Sequence, residues 1–203
     1  MKQRMLILLL GFGLINAQAA LSLHSQSNIR QRDPSVYYRF GKITVDGAKT
    51  ITTDEVLKLA GVKSNMFASP VAIDNAAGVI RRAYLNRGHV RVQVNVVPEY
   101  EVISPRSKMG LVGIAININE GSVFRLRRLE FTGNETMKDD KVYRKMVLRI
   151  GELYNQDLMD KSLRNLNDMK RFETLTMADV EINTDEQQKI VDLLIHLKEI
   201  KRR

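Results

Sequence analysis

The chain has 203 residues and no cysteine, so disulfides and thiolate metal sites are excluded and there is room for one or two small domains. Hydrophobic residues make up 44% and charged residues 27%, the proportions of a globular protein rather than a low-complexity or collagen-like one. The formal net charge of +9 points to anionic partners.

The start reads as a secretory signal peptide over residues 1–19. "MKQR" is a basic head, "MLILLLGFGLI" an apolar run, and Ala17 and Ala19 supply small residues before a cleavage point. The run is short for a membrane span, which needs roughly 20 residues; the alternative is an uncleaved N-terminal anchor extended through Leu23. Export turns the basic charge toward anionic lipid or acidic protein partners and away from nucleic acid, with a solvated surface rich in lysine and arginine as the alternative. Residues 20–38 include "SQSNIRQRDPS", which has no apolar periodicity, and are expected to form a flexible tail.

A first unit is expected over residues 39–121. "KITV" alternates as a half-buried strand, and Asp46-Gly47 turns the chain. Thr52 and Glu55 have capping-box spacing ahead of a helix whose apolar face is Val56, Leu59 and Ala60, closed by Gly61. Ser69-Pro70 starts a second helix with Ile73, Ala77, Ile80 and Tyr84 on one stripe. "VRVQVNVV" then sets Val90, Val92, Val94 and Val96 on one side of a strand and Arg91, Gln93 and Asn95 on the other. A loop holding Pro98 and Pro105 follows, then a last strand with Val112, Ile114, Ile116 and Ile118 on one face.

Residues 122–203 repeat the order. Gly133 stands 86 positions after Gly47. Leu129 and Phe131 are out of phase with Phe124 and Leu126, which predicts a bulge near Arg127. Thr136 and Asp139 offer a cap to a helix striped by Val142, Tyr143, Met146 and Val147; Asn155 begins the next, striped by Met159, Leu163, Leu166 and Met169. "MADVEI" and "IVDLLIHLK" are the last two strands, with Ala178, Val180 and Ile182 facing one way in the former. The fold class is α+β: two tandem β-α-α-β-β modules, each a three-stranded mixed sheet packed on two helices. Sheet and helices bury each other's apolar faces.

This unit resembles a POTRA (polypeptide-transport-associated) domain. The second copy carries the resemblance best, in Phe131-Thr132-Gly133-Asn134, Gly151 with Tyr154, Leu163 with Leu166, and Phe172. Asn119-Glu120-Gly121 followed by Phe124 is similar to the junction between consecutive POTRA units of the outer-membrane barrel-assembly family. Members of that family usually carry a large membrane β-barrel after these units, and this sequence stops at "KEIKRR". The expectation is a soluble adaptor, a truncated relative or part of a larger assembly.

The residues offer little catalysis. His24, His89 and His196 lack ligand spacing, no G-x-S-x-G occurs, and Asp139-Asp140 suits a helix start, where the dipole favours anions. "GLVG" at Gly110 precedes a strand rather than joining two helices, so a hairpin is preferred to a nucleic-acid clamp. No enzyme and no cofactor are expected. The remaining chemistry is that of unpaired backbone on a sheet edge, which can add an incoming strand with little regard to side chains. The resemblance implies that the second-to-last strand of each unit is that edge. The partner-binding residues are then Val90, Arg91, Val92, Gln93, Val94, Asn95 and Val96, and Met177, Ala178, Asp179, Val180, Glu181 and Ile182. Ordinary sheet strands that never meet a client are the alternative. Arg125, Arg127, Arg128, Arg202 and Arg203 are candidate contacts to anionic lipid or acidic partners, or solvated surface.

The expected function is a periplasmic, outer-membrane-associated interaction module of outer-membrane protein assembly or polypeptide transport. Its partners would be unfolded outer-membrane proteins or assembly-complex components. A membrane-anchored POTRA scaffold of cell division or envelope assembly is the second reading.

Overall fold

A computed structural model describes residues 32–200. The signal peptide, most of the expected tail, Arg202 and Arg203 lie outside the described residues. The first unit is β1 (Tyr37–Asp46), α1 (Thr53–Ala60), α2 (Pro70–Leu85), β2 (Gln93–Ser104) and β3 (Met109–Asn119). The second is β4 (Arg125–Thr132), α3 (Asp139–Tyr143), α4 (Gln156–Asp168), a single 3-10 turn Met177–Asp179, β5 (Val180–Asp185) and β6 (Ile190–His196). Each sheet places its last strand in the middle, in the orders β1-β3-β2 and β4-β6-β5. The first strand of each unit runs parallel to the central one and the second-to-last antiparallel.

The helices start and stop where backbone groups find partners. Thr52 accepts from Glu55 N–H, Ser69 from Ala72 N–H and Asn155 from Leu158 N–H. Gly61 closes α1 at φ 66°. The expected Thr136 cap does not form: α3 starts at Asp139 without a side-chain cap, and the Thr136 hydroxyl donates to Glu199 Oε2 instead. Gly47 and Gly133, at φ 79° and 80°, pass so close to the ends of the central strands that a Cβ would stand 1.9 Å from the Ile118 and Leu197 carbonyl oxygens. Only glycine fits both the left-handed backbone and that approach.

The core of each unit lies between sheet and helices. Val112, Ile114, Ile116 and Ile118 are buried against Val56, Ile73, Ile80 and Tyr84; Val191, Leu193, Ile195 and Leu197 against Val142, Met159, Leu163 and Leu166. Ser162 is fully buried with its bonds satisfied, accepting from Val147 and Leu148 N–H and donating to the Leu158 carbonyl. The bulge expected near Arg127 is present between Leu126 and Arg128, and its counterpart in β1 lies between Phe40 and Ile43.

Candidate functional site

A three-stranded sheet has two borders, and this fold treats them differently. The first part of the β1 border is covered by the loop ahead of α2: Ala68 N–H donates to the Tyr38 carbonyl, Phe40 N–H to that of Met66, and Asn65 N–H to that of Phe40. The β4 border repeats this 86 residues later, from Tyr154 N–H to Phe124, Leu126 N–H to Glu152 and Gly151 N–H to Leu126. Among the described residues no backbone segment bonds to the outer side of β2 or β5 beyond the Val180 N–H, which closes the turn onto the Met177 carbonyl.

The direction of the β2 backbone can be read residue by residue. The Glu101 carbonyl oxygen lies 2.7 Å from where a Cβ on Gly110 would stand, and that of Glu99 3.8 Å from the same point on Gly113, so odd-numbered residues turn their polar groups toward β3. Even-numbered residues turn theirs away, because direction alternates along a strand. Pro98 obeys this: it has no N–H and sits where none is needed for the ladder. The open row therefore offers N–H groups at Val94, Val96 and Tyr100, interrupted at Pro98.

The structure shifts the predicted edge residues along the chain. Gln93, Val94, Asn95 and Val96 lie on β2, but Val90 and Arg91 form a turn and Val92 is buried before the strand begins. Arg91 Nε donates to Thr184 Oγ1 of the second unit, so this stretch builds the joint between units rather than the edge. Conversely β2 continues to Ser104 through Pro98, where a loop is expected; the alternation of Tyr100 and Val102 with Glu99 and Glu101 carries that signal. In the second unit only Val180, Glu181 and Ile182 lie on a strand. Met177, Ala178 and Asp179 form the 3-10 turn, held by a capping box between Thr176 and Asp179, and Ala178 and Ile182 are exposed rather than core-facing. Phe172 and Leu175 fill the core there instead. The aromatic pattern Tyr38, Phe40 begins β1 inside the expected tail, at Tyr37.

The two open edges are not equal. β2 is 12 residues long and β5 only 6. A cleft of about 390 Å³ separates the start of β5 from α2 of the first unit, lined by Arg81, Leu85, Val90, Met177 and Ile182 among others. The joint beside it is polar. Arg82 binds both Asp157 and Asp160, Asn86 Nδ2 donates to Asp157, Asn155 Nδ2 donates to the Asn86 carbonyl, and Phe124 N–H donates to the Gly88 carbonyl.

The three described candidate arginines are engaged within the chain. Arg127 forms a forked pair with Asp192, Arg128 pairs with Glu130, and Arg125 Nη1 donates to the Gly151 carbonyl. The Arg127 guanidinium holds the Asp192 carboxyl below its ordinary value. Glu120 accepts from Lys49 N–H, Thr50 N–H and the Thr50 hydroxyl. Burial alone would raise the Glu120 carboxyl, but these donors together outweigh it and the net shift is downward. Glu199 repeats the arrangement on Thr136 and Met137. Among the described residues no group of three His, Asp or Glu side chains is placed to hold a metal ion, and no helix is long and apolar enough to cross a membrane.

Residues 38–121 and 124–200 each match the POTRA family, described as surface antigen variable number repeat. The chain belongs to the POTRA family. The outer membrane protein assembly factor BamA of Neisseria meningitidis serogroup B is 22% identical over 174 residues, covering 77% of this chain and 21% of the relative. BamA of Neorickettsia risticii is 24% identical over 147 residues, covering 72% and 19%. This chain thus spans about a fifth of the length of these curated relatives. The crystal structure of POTRA3-5 of Haemophilus influenzae BamA superposes with a TM-score of 0.65 at 22% identity, covering 80% of this chain and 61% of that one. At that identity the match speaks for the fold, two POTRA units in series.

Proposed function

We propose that this chain is a periplasmic, non-enzymatic POTRA module of outer-membrane protein assembly or polypeptide transport. It binds extended polypeptides, unfolded outer-membrane proteins or assembly partners, by adding their strands to β2. The observation that carries the reading is the unequal treatment of the sheet borders: the β1 border is bonded by the chain's own loop at Tyr38 and Phe40, while the 12-residue β2 leaves its outer backbone row without a backbone partner among the described residues. The relatives named as outer membrane protein assembly factors support the pathway. β5 is a second, shorter acceptor built on Val180, Glu181 and Ile182.

Backbone direction supplies the test. Proline at Val94 or Val96 removes an outward N–H and leaves the β3 ladder whole, whereas proline at Asn95 breaks the ladder. Each lost bond should weaken client binding by about 0.5–1.5 kcal/mol, a few-fold to tenfold. Photo-crosslinkers at Val94, Val96 and Tyr100 in periplasmic extracts should capture barrel precursors or assembly proteins, and one at Leu153, in the loop that covers the start of β4, should not. Capture that is equal at Leu153, or undiminished by Val96→Pro with the fold intact, rejects the β2 edge.

A further inference from the structure

The outer faces of the two sheets, turned away from the helices, differ at one pair of equivalent positions. Strand register matches Gly41 with Arg127, the extra residue of each bulge, and Gly113 with Asp192, the residue before Ile114 and Leu193 on the central strands. In the second unit the Arg127 guanidinium lies across this place, with Nε 2.9 Å from Asp192 Oδ1 and a second bond to Oδ2. Asp185 adds to the field that holds the guanidinium charged.

In the first unit both positions are bare. The result is a depression of about 490 Å³ floored by Gly41 and Gly113 and bordered by Lys42, Glu99, Glu101 and Leu111. The fold itself does not demand either glycine: a Cβ would meet its nearest neighbour at 3.5 Å on Gly41 and 3.6 Å on Gly113, and neither residue has positive φ. Glycine weakens a strand, and where a strand keeps one it often marks a bulge or the close approach of another chain or ligand; the same bulge carries Arg127 in the second unit, so the bulge does not require Gly41.

The acid survives although the arginine is gone. Glu101, opposite Leu111, holds the register position of Asp185, opposite Ile190, and Glu99 adds a carboxylate where the second unit has Asn183. Among the described residues Lys42, Glu99 and Glu101 form no ion pair. Lys42 takes the place of Arg128, a cation the second unit also tolerates on that rim. Exposed Tyr37, Met109 and Ile103 continue the surface at the near end of the sheet, Tyr37 and Met109 being register partners; Arg39, between Tyr37 and Gly41 and opposite Leu111, donates Nη1 to the Asn65 carbonyl at the border of the sheet.

We propose that the outer face of the first sheet is an arginine-accepting docking surface. A partner polypeptide lays a guanidinium over Gly41 and Gly113, within reach of Glu99 and Glu101, and an adjacent apolar side chain on Tyr37 and Met109. The surface is a sheet face, distinct from the β2 edge, and does not depend on strand addition. A planar, weakly hydrated guanidinium fits a flat backbone floor and forks onto carboxylates as an ammonium does not.

The test is an NMR titration of the ¹⁵N-labelled full chain with acetyl-Leu-Arg-Leu-amide and with its lysine and citrulline counterparts. The expected result is saturable shifts at Gly41, Gly113 and Glu99 to Glu101, with both counterparts weaker by about tenfold. Gly41→Arg/Gly113→Asp transplants the internal pair of the second unit and should abolish the shifts while the rest of the spectrum is retained. Should that variant fail to fold, Glu99→Gln/Glu101→Gln decides, with an expected loss of about tenfold. Absence of saturable shifts, equal response to lysine or citrulline, or undiminished binding in the folded variants overturns the proposal.

Discussion

Two glutamates do the same work at the ends of the two sheets. Glu120 and Glu199 each gather two backbone N–H groups and a threonine hydroxyl from the turn that follows the first strand of their unit. The Thr136 hydroxyl, more than offsetting what burial takes away, and then the N–H groups of Thr136 and Met137 hold the Glu199 carboxyl below its ordinary value of 4.5. A depressed carboxyl stabilises the fold fully above its ordinary value, and that contribution is lost as pH falls through the lower folded value. Thermal melts should therefore show the second unit losing stability from about pH 5 downward. Glu199→Gln should lower the melting temperature at pH 7 and flatten this acid limb; an acid limb of unchanged steepness would show that Glu199 does not contribute to it.

At the scale of elements, Asn155 serves two masters. Its Oδ1 caps α4 by accepting from Leu158 N–H, and its Nδ2 reaches the Asn86 carbonyl at the end of α2. Ser69, its counterpart 86 residues earlier, caps α2. Asn155→Ala should cost about 1 kcal/mol for the cap plus the crossing bond, and Asn155→Ser should restore only the cap. Denaturant unfolding that separates alanine from serine by less than a few tenths of a kcal/mol would show that the cap contributes nothing. The same scale explains why one edge stays open. The loop entering the second helix must pass the first strand, and it bonds to β1 and β4 on the way; no such segment passes β2 or β5 among the described residues.

For the whole molecule the question is how firmly two small cores are joined. Arg82, shared between Asp157 and Asp160, is partly exposed, so each pair contributes only about 0–1 kcal/mol and is screened by salt. Arg82→Ala should leave both folds intact and loosen the angle between them. Residual dipolar couplings should fit one alignment tensor for the parent chain at low salt and two for the variant; one shared tensor in both would assign the joint to its backbone bond and the Asn86–Asn155 contact instead.

Local pattern carried most of this architecture. Alternation placed the central strands, capping residues placed α1, α2 and α4, and the phase slip at Arg127 announced the bulge, because each depends on neighbours within a few residues. The start of β1 at Tyr37, the run of β2 through Pro98 and the turn at Met177–Asp179 depart from what local pattern predicts. Proline mid-strand is tolerable only once its neighbour on that side is known to be missing, which is a fact about strand order. Tertiary structure alone decided which border of each sheet is sealed, which arginines are already paired, and that Arg127 and Asp192 face each other where Gly41 and Gly113 leave the first sheet bare. Those outcomes depend on contacts between residues tens of positions apart, set by register rather than by local propensity.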